Sequence, residues 1–257
     1  MPKNLYIVGA GASSEAKLPT GKELKQKIAQ LLDIKFIGDD YYNFYNNNRT
    51  ESNISQAIKL FVNSTVIRDI QPYIYAAQQI TEAMPLAISI DNFIDTHNGN
   101  KEIELCGKLA IVQSILNAEK NSLLCIKNYK LDFKQIENTW YINFFKLLTE
   151  NCTKENLSNR LKSIALIIFN YDRCIEHFLY EAFKTYYGIT PEESAKFVNE
   201  IEIYHPYGTV GSLPWQNTDK AIGFGAKSSP EQLLELAGKA IGFGAKSSPE
   251  QLFRISR

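Results

Sequence analysis

The first segment suited to chemistry is a run of small residues between a strand-like and a helix-like segment. The run consists of Gly9, Ala10, Gly11, Ala12 and Ser13. Apolar residues 5–8 precede it, and residues 21–32 follow with apolar residues at helical spacing. Small residues let backbone N–H groups approach a pyrophosphate, and Ser13 adds a hydroxyl donor. Because Ser14 stands in place of the third glycine of G-x-G-x-x-G, a tight turn that serves packing alone is an open alternative.

Asn170 and Asp172 form the second candidate group. They follow residues 161–169, a continuous apolar run of the kind expected for a strand buried on both faces. Ligand-binding groups of open α/β sheets lie at such strand ends, where an amide or carboxylate can bind another amide, a ribose hydroxyl or a water. Residues 172–187 return to helical spacing, so a cap on that helix is the alternative role for either side chain.

His205 is the third candidate, directly after a short predicted strand at residues 201–204. An imidazole with a pKa of about 6.5 can exchange a proton at cellular pH, which suits a general base. The alternative is a turn residue that precedes Pro206. His97 and His177 fall in helix-like segments and are expected at the surface or in packing. We expect Asn170 and His205 to lie outside the core, so that replacing either by alanine leaves the fold intact.

The remaining elements predict how these residues are positioned. Helical spacing recurs at residues 54–66, 80–96, 103–116 and 140–148. We interpret about 50–150 as a helical insertion and the aromatic, asparagine-rich residues 36–50 as an irregular loop. Strand, turn and helix units on both sides of the insertion, at about 1–35 and 160–215, predict an α/β fold with a parallel sheet, in a single domain over residues 1–257.

Composition excludes several classes of protein. Lys plus Arg and Asp plus Glu both number 28, so no net field draws the chain to nucleic acid or to an anionic membrane. No run approaches the ~20 apolar residues that a membrane helix needs. The four cysteines are widely spaced and form no C-x-x-C pair, which predicts free thiols, a reducing cytoplasm and no zinc or other metal site.

Together the three groups resemble the sirtuin family. GAGAS at 9–13 resembles the family's G-A-G-x-S turn, and FNYD at 169–172 resembles its T-x-N-x-D segment. HPYG at 205–208 stands where the family has its catalytic histidine before a glycine. LPTG at 18–21 looks like the variant found in divergent bacterial sirtuin-like domains, and SIDNF at 89–93 is similar to another of their segments. The resemblance implies a Rossmann-like parallel sheet with a large helical insertion, the DHS-type NAD-binding fold.

The resemblance also implies roles for individual residues around NAD⁺. Asn170 would orient the ribose hydroxyls and the attacking water, Asp172 would hold the nicotinamide carboxamide, and His205 would polarise a ribose hydroxyl or that water. Thr20 would lie near one of the two riboses. The phosphates would be held by Gly9, Ala10, Gly11, Ala12 and Ser13.

Three departures from the family refine the expected activity. The zinc-binding cysteine pairs are missing, Pro19, Thr20 and Gly21 replace an Asp-Phe-Arg segment, and no G-[ST]-S segment follows His205. The first two favour hydrolysis of NAD⁺ itself, as in antiphage defence by NAD⁺ depletion, over protein deacylation or ADP-ribosyl transfer. A non-catalytic nucleotide sensor is an alternative. We expect a homo-oligomer and a regulatory partner protein or fused domain.

The C-terminal part contains a repeat. The sequence KAIGFGAKSSPEQL at 220–233 recurs without change at 239–252. One repetition is too few for a solenoid, which needs about three units to bury a continuous core. We interpret the tail at 220–257 as a recent local duplication or an artefact of the terminal sequence, standing where a truncated sheet lacks its last strands, and assign it no function.

Overall fold

The computed structural model describes residues 4–36, 44–45, 52–66, 69–216 and 221–239. They form two compact units. The first takes residues 4–18 together with the described part of 118–226, and the second takes the described residues from 19 to 117 together with 227–239. The helical insertion predicted at about 50–150 therefore falls partly in each unit.

The first unit contains the strands that the sequence predicts. The strands are β1 (Asn4–Val8), β4 (Ile164–Ile168) and β5 (Glu202–Tyr204). Its helices are α1 (Ala10–Ser14), α7 (Trp140–Thr149), α8 (Lys154–Leu161), α9 (Cys174–Tyr187) and α10 (Pro191–Asn199), with 3₁₀ turns at Phe133–Ile136 and Pro214–Gln216. The end of α6 (Lys101–Asn121) also belongs to this unit. The chain is thus mixed α/β, as expected.

The three strands form one parallel sheet in the order β1-β4-β5. Asn4 pairs with Ile164 and Val8 with Ile168, and Leu166 pairs with Ile203 on the other side. All five residues of β4 are buried because this strand lies in the middle of the sheet. The carboxyl ends of all three strands consequently meet at one edge, where the candidate residues follow them.

Alternate strand residues face opposite sides of the sheet. Val8, Leu166 and Ile168 join the main core, to which the aromatic residues of α7 and α9 also belong. On the other face, Leu5 and Ile7 remain 44% and 71% exposed. The sheet is therefore covered more completely on one face than on the other.

The small-residue run after β1 differs from the predicted turn. Residues Ala10–Ser14 form the short helix α1, and the amide of Ala12 donates to the carbonyl of Gly9 at 3.0 Å to close its first turn. Lys17, with a φ of 68°, has the left-handed conformation just beyond it. The two glycines favour a turn in the sequence pattern. The alanines and serines between and after them nevertheless allow a helix to begin directly after Gly9.

The second unit is helical in its described residues apart from one short strand pair. Its main elements are α2 (Gly21–Leu32), α3 (Asn53–Ser64), α4 (Gln71–Ala83), α5 (Ile90–Thr96), most of α6, and α11 (Pro230–Lys239). The strands β2 (Lys35–Phe36) and β3 (Phe44–Tyr45) pair antiparallel within the loop predicted at 36–50, most of which lies outside the described residues.

The segment of helical spacing at residues 80–96 contains the end of α4 and the whole of α5, separated by a break. Pro85 follows the end of α4, and a proline disrupts a continuing helix by removing an N–H donor and crowding the preceding turn. Ser89 then starts α5 as its N-cap, accepting a hydrogen bond from the amide of Asn92 at 3.1 Å. Among the described helices, none is both long and apolar enough to cross a membrane.

Candidate functional site

Asn170, at the end of β4, contacts residues that follow the other two strands. Its Nδ2 donates to the carbonyl of Gly9 at 3.2 Å and to Oγ of Ser13 at 2.7 Å. Its main-chain carbonyl accepts a hydrogen bond from Nδ1 of His205 at 3.0 Å. Gly9, Ser13, Asn170 and His205 follow β1, β4 and β5, so the residues chosen from sequence come together at the carboxyl edge of the sheet.

These side chains are more buried than expected. Asn170 is 7% exposed and the side chain of His205 is 10% exposed. The expectation that both lie outside the core is therefore wrong. The reason is that the short helix α1 folds directly over the end of β4, where its Ser13 contacts Asn170. A substitution at Asn170 will affect the fold as well as any chemistry.

Asp172 lies beside this cluster and is also buried. Its Oδ1 accepts the amide of Cys174, the first residue of α9, at 3.1 Å. The N-cap of α9 is Arg173, which makes no side-chain cap hydrogen bond, so Asp172 is not the helix cap considered as its alternative role. Burial raises the pKa of Asp172, and hydrogen bonds from Cys174 and Ser13 offset part of that shift. The residue is 5% exposed. Its predicted contact with the nicotinamide carboxamide stays a prediction.

Both ring nitrogens of His205 have acceptors as partners. Nδ1 donates to the carbonyl of Asn170, and Nε2 lies 2.7 Å from Oε1 of Glu176. Burial alone would lower the pKa of His205, but the Glu176 carboxylate and both hydrogen bonds outweigh it and raise that pKa above 6.5. A carbonyl and a carboxylate can only accept, so the geometry favours the imidazolium form, with a proton on each nitrogen.

Glu176 has a second oxygen that faces no partner. Oε2 of Glu176 is buried and lacks a hydrogen-bond partner among the described residues, as does Oδ1 of Asn170. A buried polar atom without a hydrogen-bond partner destabilises the folded protein by about 1–3 kcal/mol. Folded proteins therefore contain few such atoms. Both atoms are therefore candidates for contact with a water or a ligand hydroxyl.

His205 and Glu176 line a cavity of about 290 Å³ in the first unit. Its polar walls also include Arg173, Thr209, Ser212 and Gln216. A larger cavity of about 730 Å³ lies between α7 and α9 and is mainly apolar, with Phe145 and Tyr186 in its wall. None of the residues chosen from sequence lines the larger cavity, so the smaller one is the candidate site.

Gly9 and Gly11 have open space beside them. A Cβ atom built on either glycine would meet no other heavy atom within 4 Å. The alternative that these glycines serve packing alone requires close neighbours, and the structure shows none at these two positions. The other small residues, Ala10 and Ala12, lie in α1, where the carbonyl of Ala12 accepts the indole N–H of Trp140 at 2.7 Å.

Thr20 has a local structural role in the second unit. Its Oγ1 caps α2 by accepting from the amide of Glu23, while the Glu23 carboxylate accepts from the Thr20 amide at 2.7 Å. This reciprocal capping box accounts for the Thr20 hydroxyl and amide. Its predicted place beside a ribose stays a prediction.

Two charged residues of this site were missed from sequence, Glu176 and Arg173. Both belong to a segment with apolar residues at helical spacing, where a charge is easily taken for a solvent-facing position. Arg173 is 1% exposed and Glu176 is 5% exposed. A usable signal was present, since Glu176 lies in the first turn of α9, close in sequence to the end of β4.

No metal site is evident in the part of the chain that the structure describes. Within it, no three His, Cys, Asp or Glu side chains come close enough to hold an ion. Comparisons with protein-family models, with curated proteins and with solved structures gave no match for this chain.

Proposed function

We propose that this chain is an NAD⁺ hydrolase that cleaves the bond between nicotinamide and ribose. The observation that carries the proposal is the meeting of Asn170, His205 and Glu176 at the carboxyl edge of a parallel sheet, next to the glycine run. Together with the sirtuin resemblance, this arrangement supports a Rossmann-like, sirtuin-like fold around NAD⁺.

The proposed reaction begins with departure of nicotinamide. Nicotinamide leaves as a neutral molecule with the electron pair of the C1′–N bond, and the ribose becomes oxocarbenium-like. Water adds at C1′ and loses a proton, so NAD⁺ and water give nicotinamide, ADP-ribose and a proton. A buried carboxylate can stabilise the positive ribose and accept that proton, as carboxylates do in glycoside hydrolysis. Glu176 lines the cavity, and its buried Oε2 has no hydrogen-bond partner among the described residues.

His205 and Asn170 act on this carboxylate and on the water. His205 holds Oε1 of Glu176 at 2.7 Å, which leaves Oε2 directed elsewhere. Oδ1 of Asn170 can accept a hydrogen bond from a ribose hydroxyl or from the attacking water, because its amide nitrogen is already held by Gly9 and Ser13. His205 thus acts as a positively charged partner of Glu176, in place of the neutral base expected from sequence.

The glycine run supports phosphate binding. Open space beside Gly9 and Gly11 lets a ligand approach the backbone at the start of α1. Small-molecule sites measure roughly 300–1,000 Å³, and the cavity of about 290 Å³ is at the lower end of that range. It therefore suits the nicotinamide and its ribose, with the rest of the dinucleotide outside it. Ser13 Oγ is already bonded to Asn170, so backbone amides are the better phosphate donors.

The biological setting is proposed from the same resemblance. The sirtuin resemblance supports a cytoplasmic enzyme that depletes NAD⁺ in antiphage defence and needs no zinc. It also supports a homo-oligomer that is controlled by a partner protein or a fused domain. Protein deacylation, ADP-ribosyl transfer and nucleotide sensing are the alternatives that the following experiment separates.

The test is product analysis with purified protein and NAD⁺. We expect equal amounts of nicotinamide and ADP-ribose, and loss of both products in His205→Gln. The matched control is His97→Gln, because His97 lies in the second unit and contacts Phe93 and Gln79 there. No nicotinamide from any oligomeric fraction would reject the hydrolase. NAD⁺ binding without release would instead support the sensor, and turnover of an acetylated peptide would support the deacylase.

A further inference from the structure

The first copy of the duplicated segment occupies a specific binding site on the first unit. We define the IGFG site as the set of residues that hold Ile222, Gly223, Phe224 and Gly225. The site is formed by Glu119, Lys120, Arg173 and His177. Glu119 and Arg173 are 0% and 1% exposed, so the site is built on a buried ion pair.

The ion pair binds the backbone of the segment. Arg173 donates from Nη1 to the carbonyl of Ile222 at 2.7 Å and from Nη2 to that of Gly223 at 3.3 Å. Oε2 of Glu119 accepts the amide of Gly225 at 3.1 Å and a hydrogen bond from Arg173 at 2.5 Å. Charge-assisted hydrogen bonds of this kind are stronger than neutral ones, so they define the position of the segment.

An aromatic contact and a glycine position complete the recognition of the segment. Phe224 stacks on His177 with the ring centroids 4.1 Å apart and the planes inclined by 3°. Gly225 has a φ of +66°, and a Cβ on it would lie 2.7 Å from the Cα of Lys120. Only glycine fits at that position without displacing backbone, so the site requires an aromatic residue followed by glycine.

The second copy satisfies every one of these requirements. Residues 241–244 are again Ile, Gly, Phe and Gly, and the identity extends over 220–233 and 239–252. The contacts of the IGFG site are with main-chain groups, the phenyl ring and the glycine, all of which both copies offer. The site therefore has no chemical means to distinguish them.

The similarity continues into the next helix. Leu233 and Leu236 are the buried leucines of α11, which packs on α3 in the second unit. The equivalent residues are Leu252, the last residue of the second copy, and Ile255 beyond it, so the apolar spacing is kept. Buried Ala237, however, corresponds to Ser256, whose hydroxyl would need a partner, and this favours the first copy.

We propose that the IGFG site binds either copy of the duplicated segment of its own chain, so that the tail has two alternative registers. The second register lengthens the connection that follows residue 216, and loop-closure entropy rises only slowly with loop length. The first copy predominates, and the second replaces it when the first cannot bind.

The test uses the same substitution at the two equivalent glycines of the full chain. Gly244→Val should leave the melting temperature unchanged, Gly225→Val should lower it moderately, and the double variant should lower it much further. Phe243→Ala should be silent in the unmodified chain but destabilising in the Gly225→Val background, because the second copy then fills the site.

Three results would overturn the proposal. They are a Gly225→Val variant as unstable as the double variant, a double variant as stable as the unmodified chain, and a Gly225→Val variant that is rescued only by forming larger assemblies in light scattering. The last result would mean that the second copy comes from another chain. If Gly225→Val does not fold, the milder pair Phe224→Ala and Phe224→Ala/Phe243→Ala decides, since equal melting temperatures in that pair also contradict the exchange.

Discussion

The imidazole of His205 and the carboxylate of Glu176 form a buried pair, with Nε2 and Oε1 2.7 Å apart. This pair raises the pKa of His205 in the folded protein. Two aspects of the protein follow from it, a pH-dependent contribution to stability and an oriented carboxylate at the candidate site.

Stability should decrease at alkaline pH because of this pair. A histidine whose pKa is raised on folding stabilises the folded protein. Its contribution is complete below the unfolded pKa of about 6.5 and is lost as the pH rises through the folded pKa. We expect the free energy of unfolding of the unmodified chain to fall, relative to His205→Gln, as the pH rises above about 6.5. Urea denaturation of both proteins at a series of pH values measures this difference in the free energy of unfolding. Parallel profiles for the two proteins would exclude the charged pair.

His177 should produce the opposite dependence at acid pH. Burial lowers the pKa of His177 to about 4, while its Nε2 donates to the carbonyl of Leu124 at 3.0 Å. The unfolded chain binds a second imidazole proton on His177 more tightly than the folded chain does. The free energy of unfolding therefore decreases as the pH falls from about 6.5 toward 4, by on the order of 3 kcal/mol. The loss should be smaller in His177→Gln. An identical acid profile in both proteins would show that His177 is not buried as a neutral ring.

Replacing Asn170 by alanine should cost stability as well as activity. The change removes the hydrogen bonds to Gly9 and Ser13 and leaves the buried Ser13 hydroxyl without that donor, at about 1–3 kcal/mol. The exposed Asn143 on α7 is a matched control, whose alanine variant should stay within about 0.5 kcal/mol of the unmodified chain. Chemical denaturation compares the two, and equal losses would contradict the bridging role of Asn170.

Glu119→Ala should be among the most destabilising single changes. It leaves Arg173 buried without its carboxylate, and breaking one side of a buried ion pair costs about 3–5 kcal/mol. The control is Glu104→Ala, which removes a more exposed partner of Lys108 and should cost less than about 1 kcal/mol. Chemical denaturation measures both losses. A loss for Glu119→Ala no larger than that of the control would mean that the buried pair contributes little.

The sheet edge was predictable because hydrophobic runs and chain order determine it. Residues 5–8, 164–168 and 202–204 are apolar or β-prone runs, and a polar or small residue or an exposed aromatic follows each of them. Parallel strands place their carboxyl ends together, so Gly9, Asn170 and His205 could be brought to one edge without coordinates.

The remaining features depend on tertiary packing that one sequence does not reveal. Glu176 and Arg173 occupy helical positions that resemble solvent-facing ones until their buried partners are known. The repeat at 220–233 was visible in sequence, but its binding partners Glu119 and His177 are distant along the chain. The spacing of two identical copies indicates neither where a segment docks nor that it docks at all.

The central claim is tested most directly by nicotinamide release from NAD⁺ in the unmodified chain and in Glu176→Gln. The substitution preserves the shape of the side chain and removes the carboxylate that would accept the proton of water. We expect release by the unmodified chain and a reduction of kcat by at least about 100-fold in the variant, with NAD⁺ binding retained. Equal release by both proteins, or none by the unmodified chain, would contradict the account.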